Sequence, residues 1–357
     1  MLNIGLVGVG LVGKAFVKEI FRKDNPFQTQ APFKLVGLIN SRKQAFSPQG
    51  FSSDSQAFQE LESGNSASLE SFIKEFEGLE GNKVIVDCTS NQDVAEKYPS
   101  WLSKKFNIVT PNKKPFSSDL KLFKEIFQTA KDNGVNVGYE STVGAGLPVI
   151  RTLSHLVNSG DKADKIEGIF SGTLSHLFNT YSSLSNRQAQ SFAQIVKKAQ
   201  EDGYTEPDPR DDLSGMDVAR KLVILARTAG WDLSLEQVQI DNLVPEALQS
   251  VATSQEFLER LPEFDAHFSK LNEDALNNNQ VLRYVGQVDS TGAASVKLSG
   301  YDAAHPFASL TLNNNIASFK TAHFPSPLII QGAGAGDLVT VFGILADLLT
   351  ISKIVEH

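Results

Sequence analysis

The stretch MLNIGLVGVGLVGKAF, residues 1–16, decides the fold of the first part of this chain. An apolar, β-branched run leads into closely spaced glycines, and the apolar positions beyond them recur at helical spacing. The pattern predicts a strand, a tight turn and a helix. The glycines form a GxGxxG sequence, which lets the backbone approach a pyrophosphate at a helix N-terminus. We expect a dinucleotide to be bound by Gly8, Val9, Gly10, Leu11, Val12 and Gly13.

Strand and helix patterns alternate from this stretch as far as residue 147. The predicted elements are strands at 33–40, 82–90, 106–112 and 135–140, and helices at 68–76 and 117–134. Such alternation indicates an α/β fold with a Rossmann-type, doubly wound parallel sheet and helices on both faces. The Ser-, Gln- and Asn-rich stretch 40–68 is interpreted as a surface loop.

From residue 148 the pattern changes to helices followed by strands. The predicted elements are helices at 191–203 and 214–230 and strands at 281–289, 294–302 and 326–336. Ser214 is the expected N-cap of the second helix. This order indicates an α+β domain, 148–335, with a mixed or antiparallel sheet. A closing helix within 336–357 is expected to complete the first domain, 1–147.

Composition excludes several classes of protein. The chain has 357 residues, of which 41% are hydrophobic and 21% charged, as in globular proteins. Its formal net charge of −8 argues against nucleic acid as a partner. No apolar run is long and uninterrupted enough to cross a membrane. The single cysteine, Cys88, rules out an intrachain disulfide, and we expect a cytoplasmic location.

The ends of the predicted parallel strands carry the candidate cofactor residues. After the second strand stand Asn40 and Arg42, where a site that prefers NAD usually has an acid. We therefore expect NADP to be bound well, with Arg42 pairing its 2′-phosphate, although an ordinary loop arginine is the alternative. Thr89 and Ser90 follow the third strand and could bond the nicotinamide ribose. Lys113 follows the next strand, and from sequence alone a solvated loop lysine is the better interpretation.

The stretch GYTEPDPRDDLSGMDVARK, residues 203–221, concentrates charge at the start of a predicted helix. Asp217 and Lys221 are four residues apart and so share one helix face. A surface ion pair is the simpler interpretation. Because the rest of this helix is largely apolar, we expect the pair to face a partly buried cleft.

Together these motifs resemble the homoserine dehydrogenases of the monofunctional fungal type. The resemblance rests on Gly8 to Gly13 and on the motifs TPNKKPFSSDL, ESTVGAGLPVI, KIEGIFSGTLSHLFN, GYTEPDPRDDLSGMDVARK, HPFASL and QGAGAGDLVT, in the order and at the spacing of the family. It implies reversible NAD(P)H-dependent reduction of L-aspartate 4-semialdehyde to L-homoserine, on the route to threonine, methionine and isoleucine. It also implies a stand-alone homodimer whose second domain binds substrate and dimerises.

The resemblance assigns roles residue by residue. Lys221 matches the proton donor, Asp217 its acidic neighbour, and Lys113 a lysine near the nicotinamide. The substrate pocket is matched by Glu206, Asp212, Asp217, Gly203, Tyr204, Gly172 and Thr173. Gly336 matches a glycine turn that approaches the cofactor. A sodium site, formed mainly by backbone oxygens, is matched by Glu140, Val143, Ala145 and Leu147.

Two other functions compete with this one. Another Rossmann-type dehydrogenase, such as aspartate semialdehyde dehydrogenase, would need a cysteine that forms a thioester, and Cys88 has no partner motif around it. A catalytically inactive nucleotide-binding protein would keep the glycine turn and lose the Asp217/Lys221 pair, which is present.

Overall fold

The computed structural model describes residues 1–185 and 190–355, which form two compact units. Unit 1 comprises Met1–Gly146 and Gly336–His357, and unit 2 comprises Leu147–Ala335. In chain order, unit 2 is therefore inserted between two parts of unit 1.

Unit 1 contains a seven-stranded sheet that is mostly parallel. Its strands are β1 (Leu2–Val7), β2 (Phe33–Ile39), β3 (Lys43–Phe46), β4 (Asn65–Ser66), β5 (Asn82–Asp87), β6 (Phe106–Val109) and β7 (Val137–Gly138). Their order is β4-β3-β2-β1-β5-β6-β7. β2, β1, β5, β6 and β7 run parallel, and β3 and β4 add an antiparallel edge. The predicted Rossmann-type sheet is confirmed.

The helices of unit 1 cover both faces of this sheet. They are α1 (Leu11–Ile20), α2 (Phe27–Gln30), α3 (Asp54–Ser63), α4 (Leu69–Glu77), α5 (Gln92–Ala95), α6 (Tyr98–Ser103), α7 (Lys114–Ser117), α8 (Leu120–Asn133) and α16 (Asp337–Val355). A short 3-10 helix spans Glu140–Thr142. Since β2 and β5 lie on opposite sides of β1, the strand order reverses there. Open α/β sheets bind ligands at such a point, outside the carboxyl ends of the strands.

The helix α16 is part of the core of unit 1. Ile344 and Leu348 are buried in the same hydrophobic cluster as Phe16 of α1. The carboxylate of Asp347 also accepts the backbone N–H of Glu140 at 2.9 Å. Apolar burial and a buried hydrogen bond thus hold the closing helix in place. Residues 356–357 of the predicted helix lie outside the described residues.

The interpretation of 40–68 as a surface loop is wrong. This stretch contains β3, α3 and β4, and Ala57 and Leu61 bury one face of α3. Ser53 caps that helix by accepting the N–H of Gln56 at 3.1 Å. Because Ser and Gln here cap helices and satisfy backbone groups, their abundance conceals a regular element.

Unit 2 combines helices with a mixed six-stranded sheet. Its strands are β8 (Ala163–Ile169), β9 (Gln239–Ile240), β10 (Gln280–Asp289), β11 (Ala294–Asp302), β12 (Asn314–Thr321) and β13 (Leu328–Ala333), in the order β13-β12-β8-β10-β11-β9. Its helices are α9 (Val149–Asn158), α10 (Gly172–Tyr181), α11 (Phe192–Glu201), α12 (Pro209–Leu213), α13 (Met216–Thr228), α14 (Ser254–Arg260) and α15 (Asp265–Asn277). Three short 3-10 helices span Leu235–Gln237, Glu246–Leu248 and Leu261–Phe264. All strand pairs are antiparallel except β11 with β9, so the predicted α+β unit has a mixed sheet.

The predicted N-cap of α13 is wrong by one residue. Gly215 is the N-cap, in a left-handed conformation with φ +73°, and a Cβ atom there would lie 2.1 Å from the hydroxyl of Tyr284. Ser214 instead ends the preceding helix, because its N–H bonds the carbonyl of Arg210 at 2.9 Å. A serine before an apolar run is typical of a helix N-cap. The sequence does not show, however, that α12 ends at Leu213, directly before Ser214. Within 1–185 and 190–355, the helices include none that is both long and apolar enough to span a bilayer.

Candidate active site

The glycine turn after β1 has the geometry of a dinucleotide-binding turn. Gly8 has φ +92°, and a Cβ atom there would lie 2.7 Å from Thr89 Cγ2. A Cβ on Gly13 would lie 2.1 Å from the carbonyl oxygen of Gly8, so α1 can pack only with glycine at this position. A Cβ on Gly10 would meet no atom within 4 Å. The turn therefore leaves open space next to the N-terminus of α1, where a pyrophosphate is favoured.

A cavity of about 600 Å³ lies beside this turn in unit 1. It is lined by Val9, Lys14, Lys18, Asn40, Arg42, Lys43, Phe58, Leu61 and Glu62. Four of these side chains are cationic and one is acidic. The side chain of Asn40 shapes the loop, because its oxygen accepts the N–H groups of Arg42 and Lys43 at 2.8 and 2.7 Å. The cavity thus offers a positive environment for a phosphate group.

Sequence reasoning missed the two lysines of α1 and the three residues of α3, Phe58, Leu61 and Glu62, that line this cavity. Lys14 and Lys18 are four residues apart on α1, a spacing that places both on one helix face, but nothing in the sequence connects that face with Arg42. No acid directly follows β2, as the sequence indicates, but Glu62 of α3 lines the same cavity. The interpretation of 40–68 as a surface loop conceals Phe58, Leu61 and Glu62, which α3 brings to the cavity.

The loops after β5 and β6 carry the remaining candidate residues of unit 1. Thr89 and Ser90 follow β5, and Lys113 precedes α7, whose first turn bonds the Lys113 carbonyl. The two strands are parallel neighbours, so their carboxyl ends meet at one edge of the sheet. Gly336, at the start of α16, has φ +110°, a conformation that favours glycine.

In unit 2, Lys221 is held between two oxygen acceptors. Its ammonium lies 2.7 Å from the carbonyl oxygen of Phe170 and 2.8 Å from the carboxylate of Asp217. The side chain of Lys221 is 12% exposed and that of Asp217 is 46% exposed. The expected shared face is confirmed, although only the lysine is largely buried. A lysine held in this way presents one oriented ammonium group.

Two further acids of the same stretch lie near this pair. Asp212 accepts the backbone N–H of Glu206 at 2.8 Å. Burial raises the pKa of the Asp212 carboxyl, and the charges of Glu206 and Asp217 raise it further, while hydrogen bonds from Glu206 and Thr173 lower it. A carboxyl whose pKa is raised partly by neighbouring carboxylates indicates a site that gains from binding a cation. In contrast, Asp208 and Arg210 pair with each other at the start of α12 and are structural.

Tyr204 is fixed from two sides by α10. The hydroxyl of Thr173 donates to the Tyr204 carbonyl at 2.7 Å, and the His176 ring stacks on the Tyr204 ring with centroids 4.2 Å apart. Burial lowers the pKa of His176, so the stacked ring favours the neutral form. Gly172 begins α10, and Gly203, with φ +77°, follows α11 directly before Tyr204. Sequence reasoning missed His176, since its spacing from Thr173 gives no sign of a ring contact with Tyr204.

Family models match both parts of the chain. Residues 8–140 match the NAD-binding domain of homoserine dehydrogenase, and residues 148–349 match the homoserine dehydrogenase domain. The chain belongs to the homoserine dehydrogenase family. The predicted family membership is thereby confirmed.

Individual relatives agree with the family match. The homoserine dehydrogenase of Emericella nidulans is 44% identical over 372 residues, which cover 100% of this chain and 99% of the relative. The chloroplastic bifunctional aspartokinase/homoserine dehydrogenase 1 of Arabidopsis thaliana is 42% identical over 98% of this chain, but the chain spans only 39% of its length. A Candida auris protein, described in its crystal structure as of unknown function, has a TM-score of 0.90 and 44% identity, with 98% of each chain covered.

Cys88 does not have the properties of a catalytic thiol. Burial, together with the charge of Asp87, raises the pKa of the thiol well above its ordinary range. The side chain packs against the hydrophobic cluster of unit 1. Because the thiolate is the nucleophilic form, a thioester mechanism at this position is disfavoured.

We expect Gly10→Ala to weaken dinucleotide binding without destabilising the fold. The added methyl group meets no protein atom but fills the space in which a pyrophosphate would approach the backbone. Titration of the protein with NADP should give a Kd raised by roughly tenfold or more, equivalent to about 1.4 kcal/mol, with an unchanged melting temperature. Gly78→Ala is the matched control, because Gly78 is exposed with φ −67° and also tolerates a Cβ. Equal affinity of the two variants for NADP would contradict the assigned role of Gly10.

Proposed function

We propose that this chain is a homoserine dehydrogenase that reversibly reduces L-aspartate 4-semialdehyde to L-homoserine with NADPH, in threonine, methionine and isoleucine biosynthesis. The observation that carries the proposal is the oriented Lys221 ammonium beside three carboxylates, those of Asp217, Glu206 and Asp212, in a member of this family. In this proposal residues 1–147 with 336–357 bind the dinucleotide, and residues 148–335 bind the substrate and form the dimer.

Lys221 serves as the proton donor. When bound, the reduced nicotinamide supplies the hydride to the aldehyde carbon. Negative charge then develops on the aldehyde oxygen, and a positioned ammonium both stabilises that charge and hands over a proton. Asp217 orients the lysine through their 2.8 Å ion pair. Lys113, on the loop after β6, supplies a second positive charge on the cofactor side.

The acids of unit 2 recognise the amino group of the substrate. An ammonium group that leaves water must be matched by negative charge. Glu206 and Asp212 provide that charge, and binding would relieve their mutual repulsion, which contributes to the raised pKa of Asp212. The remaining pocket residues are Gly172, Thr173, Gly203 and Tyr204, of which Tyr204 is held by α10.

The cationic cavity beside the glycine turn favours NADP over NAD. Arg42 can pair a 2′-phosphate through two N–H groups, and Lys14 and Lys18 add charge from α1. The carboxylate of Glu62 repels a phosphate, but one acid and four cations leave the cavity with a net positive charge. Thr89, Ser90 and Gly336 complete the proposed cofactor contacts.

Three further proposals concern a sodium site, a homodimer and a cytoplasmic location. The segment with Glu140, Val143 and Ala145 is buried, and Gly144 and Ala145 have left-handed φ angles of +76° and +52°. A carboxylate and backbone carbonyls are the hard oxygen donors that a sodium ion requires, and Leu147, the first residue of unit 2, is the fourth predicted ligand. The homodimer and the cytoplasmic location also stay predictions.

Purified protein should oxidise homoserine with NADP, and Lys221→Ala should lower turnover by roughly two or more orders of magnitude. Absorbance of the reduced nicotinamide measures both. Lys221→Arg keeps the charge but donates a proton poorly, so it should stay slow. Lys198→Ala is the matched control, because Lys198 is an exposed lysine paired with Asp202. Absence of turnover with either nicotinamide would refute the assignment in favour of an inactive binding protein.

The substitution Arg42→Ala should shift cofactor preference from NADP towards NAD. Loss of a charge-assisted contact to phosphate lowers affinity for NADP by about tenfold or more, while NAD lacks that phosphate. The ratio of kcat/KM values for the two cofactors measures the effect. Lys23→Ala, an exposed basic residue outside the cavity, is the control. A ratio that does not change would show that Arg42 does not bind the 2′-phosphate.

The substitution Asp212→Asn should raise KM for homoserine by about tenfold or more, the usual effect of losing a hydrogen bond to a charged group, with unchanged NADP affinity. Because burial raises the pKa of Asp212, this acid becomes neutral at a higher pH than an ordinary aspartate. Its attraction for ammonium is present above that pKa and lost as pH falls through it. KM for homoserine should therefore rise on the acidic side in wild type, and less steeply in Asp212→Asn.

The control for this substitution is Asp211→Asn, because Asp211 is exposed. Equal KM values for the two variants would contradict the role of Asp212.

A further inference from the structure

Asp87, the last residue of β5, is a fully buried carboxylate to which the proposed mechanism gives no role. Three donors reach it: Thr89 N–H at 2.8 Å, the Tyr98 hydroxyl at 2.6 Å and Asn112 Nδ2 at 3.1 Å. None of these partners, within the part of the chain that the structure describes, is positively charged. Burial raises the pKa of this carboxyl, and its hydrogen bonds with Tyr98, Thr89 and Asn112 act in the opposite direction. Such an acid is tolerated in a core only because donors surround it.

Its donors connect the loops that follow β5 and β6. Thr89 belongs to the first loop and Asn112 to the second. The Asn112 amide also donates to the Asn91 carbonyl at 3.1 Å, and its oxygen accepts the Lys114 N–H at 3.1 Å. One carboxylate and one amide therefore fix two loops that are separated in sequence by α5, α6 and β6.

The backbone of Asp87 makes a third connection. Its carbonyl oxygen accepts the Thr110 hydroxyl at 2.7 Å, and the Thr110 oxygen accepts the Asn112 N–H at 2.9 Å. All these atoms are buried. Networks of this kind, fully satisfied in a low-dielectric interior, hold a single arrangement of the segments they join.

The two loops carry the residues proposed to act on the nicotinamide side of the cofactor. Thr89 and Ser90 lie on the first, and Lys113 stands between Asn112 and Lys114 on the second. We propose that Asp87 is a positioning residue that sets these two loops relative to each other, and through them Thr89 and Lys113 relative to NADP. This inference rests on the proposed function, which assigns both residues to the cofactor.

A carboxylate is required for this role. Two oxygens, each with two lone pairs, accept all three donors. An asparagine has the same shape but one acceptor oxygen, so its amide hydrogens would face at least one of the donors. Asp87→Asn thus breaks the connection between the loops without changing the volume of the core.

The decisive experiment compares Asp87→Asn with wild type by NADP titration and by homoserine oxidation. We expect Kd for NADP to rise and kcat to fall, each by about tenfold or more, as expected when reacting groups are misplaced by a fraction of an ångström. The pH profile of activity should keep its shape, because Asp87 does not donate the proton. Asp161→Asn is the matched control: Asp161 is also buried and accepts bonds from Thr321 and His323, but it lies in unit 2. It should leave Kd and kcat unchanged.

A second pair of variants separates positioning from stability. Asn112→Ala cuts the connection between the loops and keeps the carboxylate, so it should weaken NADP binding and turnover even if Asp87→Asn fails to fold. Tyr98→Phe removes the donor on α6, a helix that carries none of the proposed site residues, so it should lower the melting temperature alone.

Wild-type values of Kd for NADP and of kcat in folded Asp87→Asn and Asn112→Ala would overturn the inference. So would equal losses of NADP affinity in Tyr98→Phe and Asn112→Ala. Wild-type protein that binds NADP but does not oxidise homoserine would refute the proposed function and still allow the binding comparison.

Discussion

Unit 1 depends on the close approach of its backbone at the ends of β1 and β5. Gly8 passes so near Thr89 that any side chain would collide with it, and the carbonyl of Gly8 occupies the space that a side chain of Gly13 would need. Both contacts draw α1 against the sheet and point its N-terminus at the open space beside Gly10. The open space for a dinucleotide thus results from tight backbone packing around it. This packing requires glycine at the particular positions 8 and 13.

The regular elements could be predicted from the sequence where burial and periodicity agree. β1, β2, β5 and β6 are apolar runs that are buried on both sides, and α8 and α13 have a clear helical period. The prediction failed at 40–68, where polar residues cap α3 and fill its exposed face, so that only Ala57, Phe58 and Leu61 show the helix. It failed again at Ser214, because a capping residue looks the same in sequence whether it begins one helix or ends another.

The candidate sites show the same limit. Spacing alone predicted that Asp217 and Lys221 share a helix face, since four residues make about one helical turn. Proximity of distant segments could not be read in this way. Examples are Lys18 and Arg42, which line one cavity, and the ring of His176, which stacks on Tyr204. The proposed roles of Glu206 and Asp212 come from the family resemblance, and the raised pKa of Asp212, a partly buried acid beside others, is a physical argument that supports them.

The packing of α16 against α1 has a consequence for how the chain folds during synthesis. Phe16 and Ile344 belong to one hydrophobic cluster although all of unit 2 lies between them in sequence. As the ribosome releases the chain from its N-terminus, the apolar face of α1 emerges long before its partner helix. Unit 2, whose residues 147–335 are contiguous, can form its core first. The dinucleotide unit, though encoded first, is therefore the one that is completed last, and its exposed apolar surface is a natural substrate for chaperones in the interval.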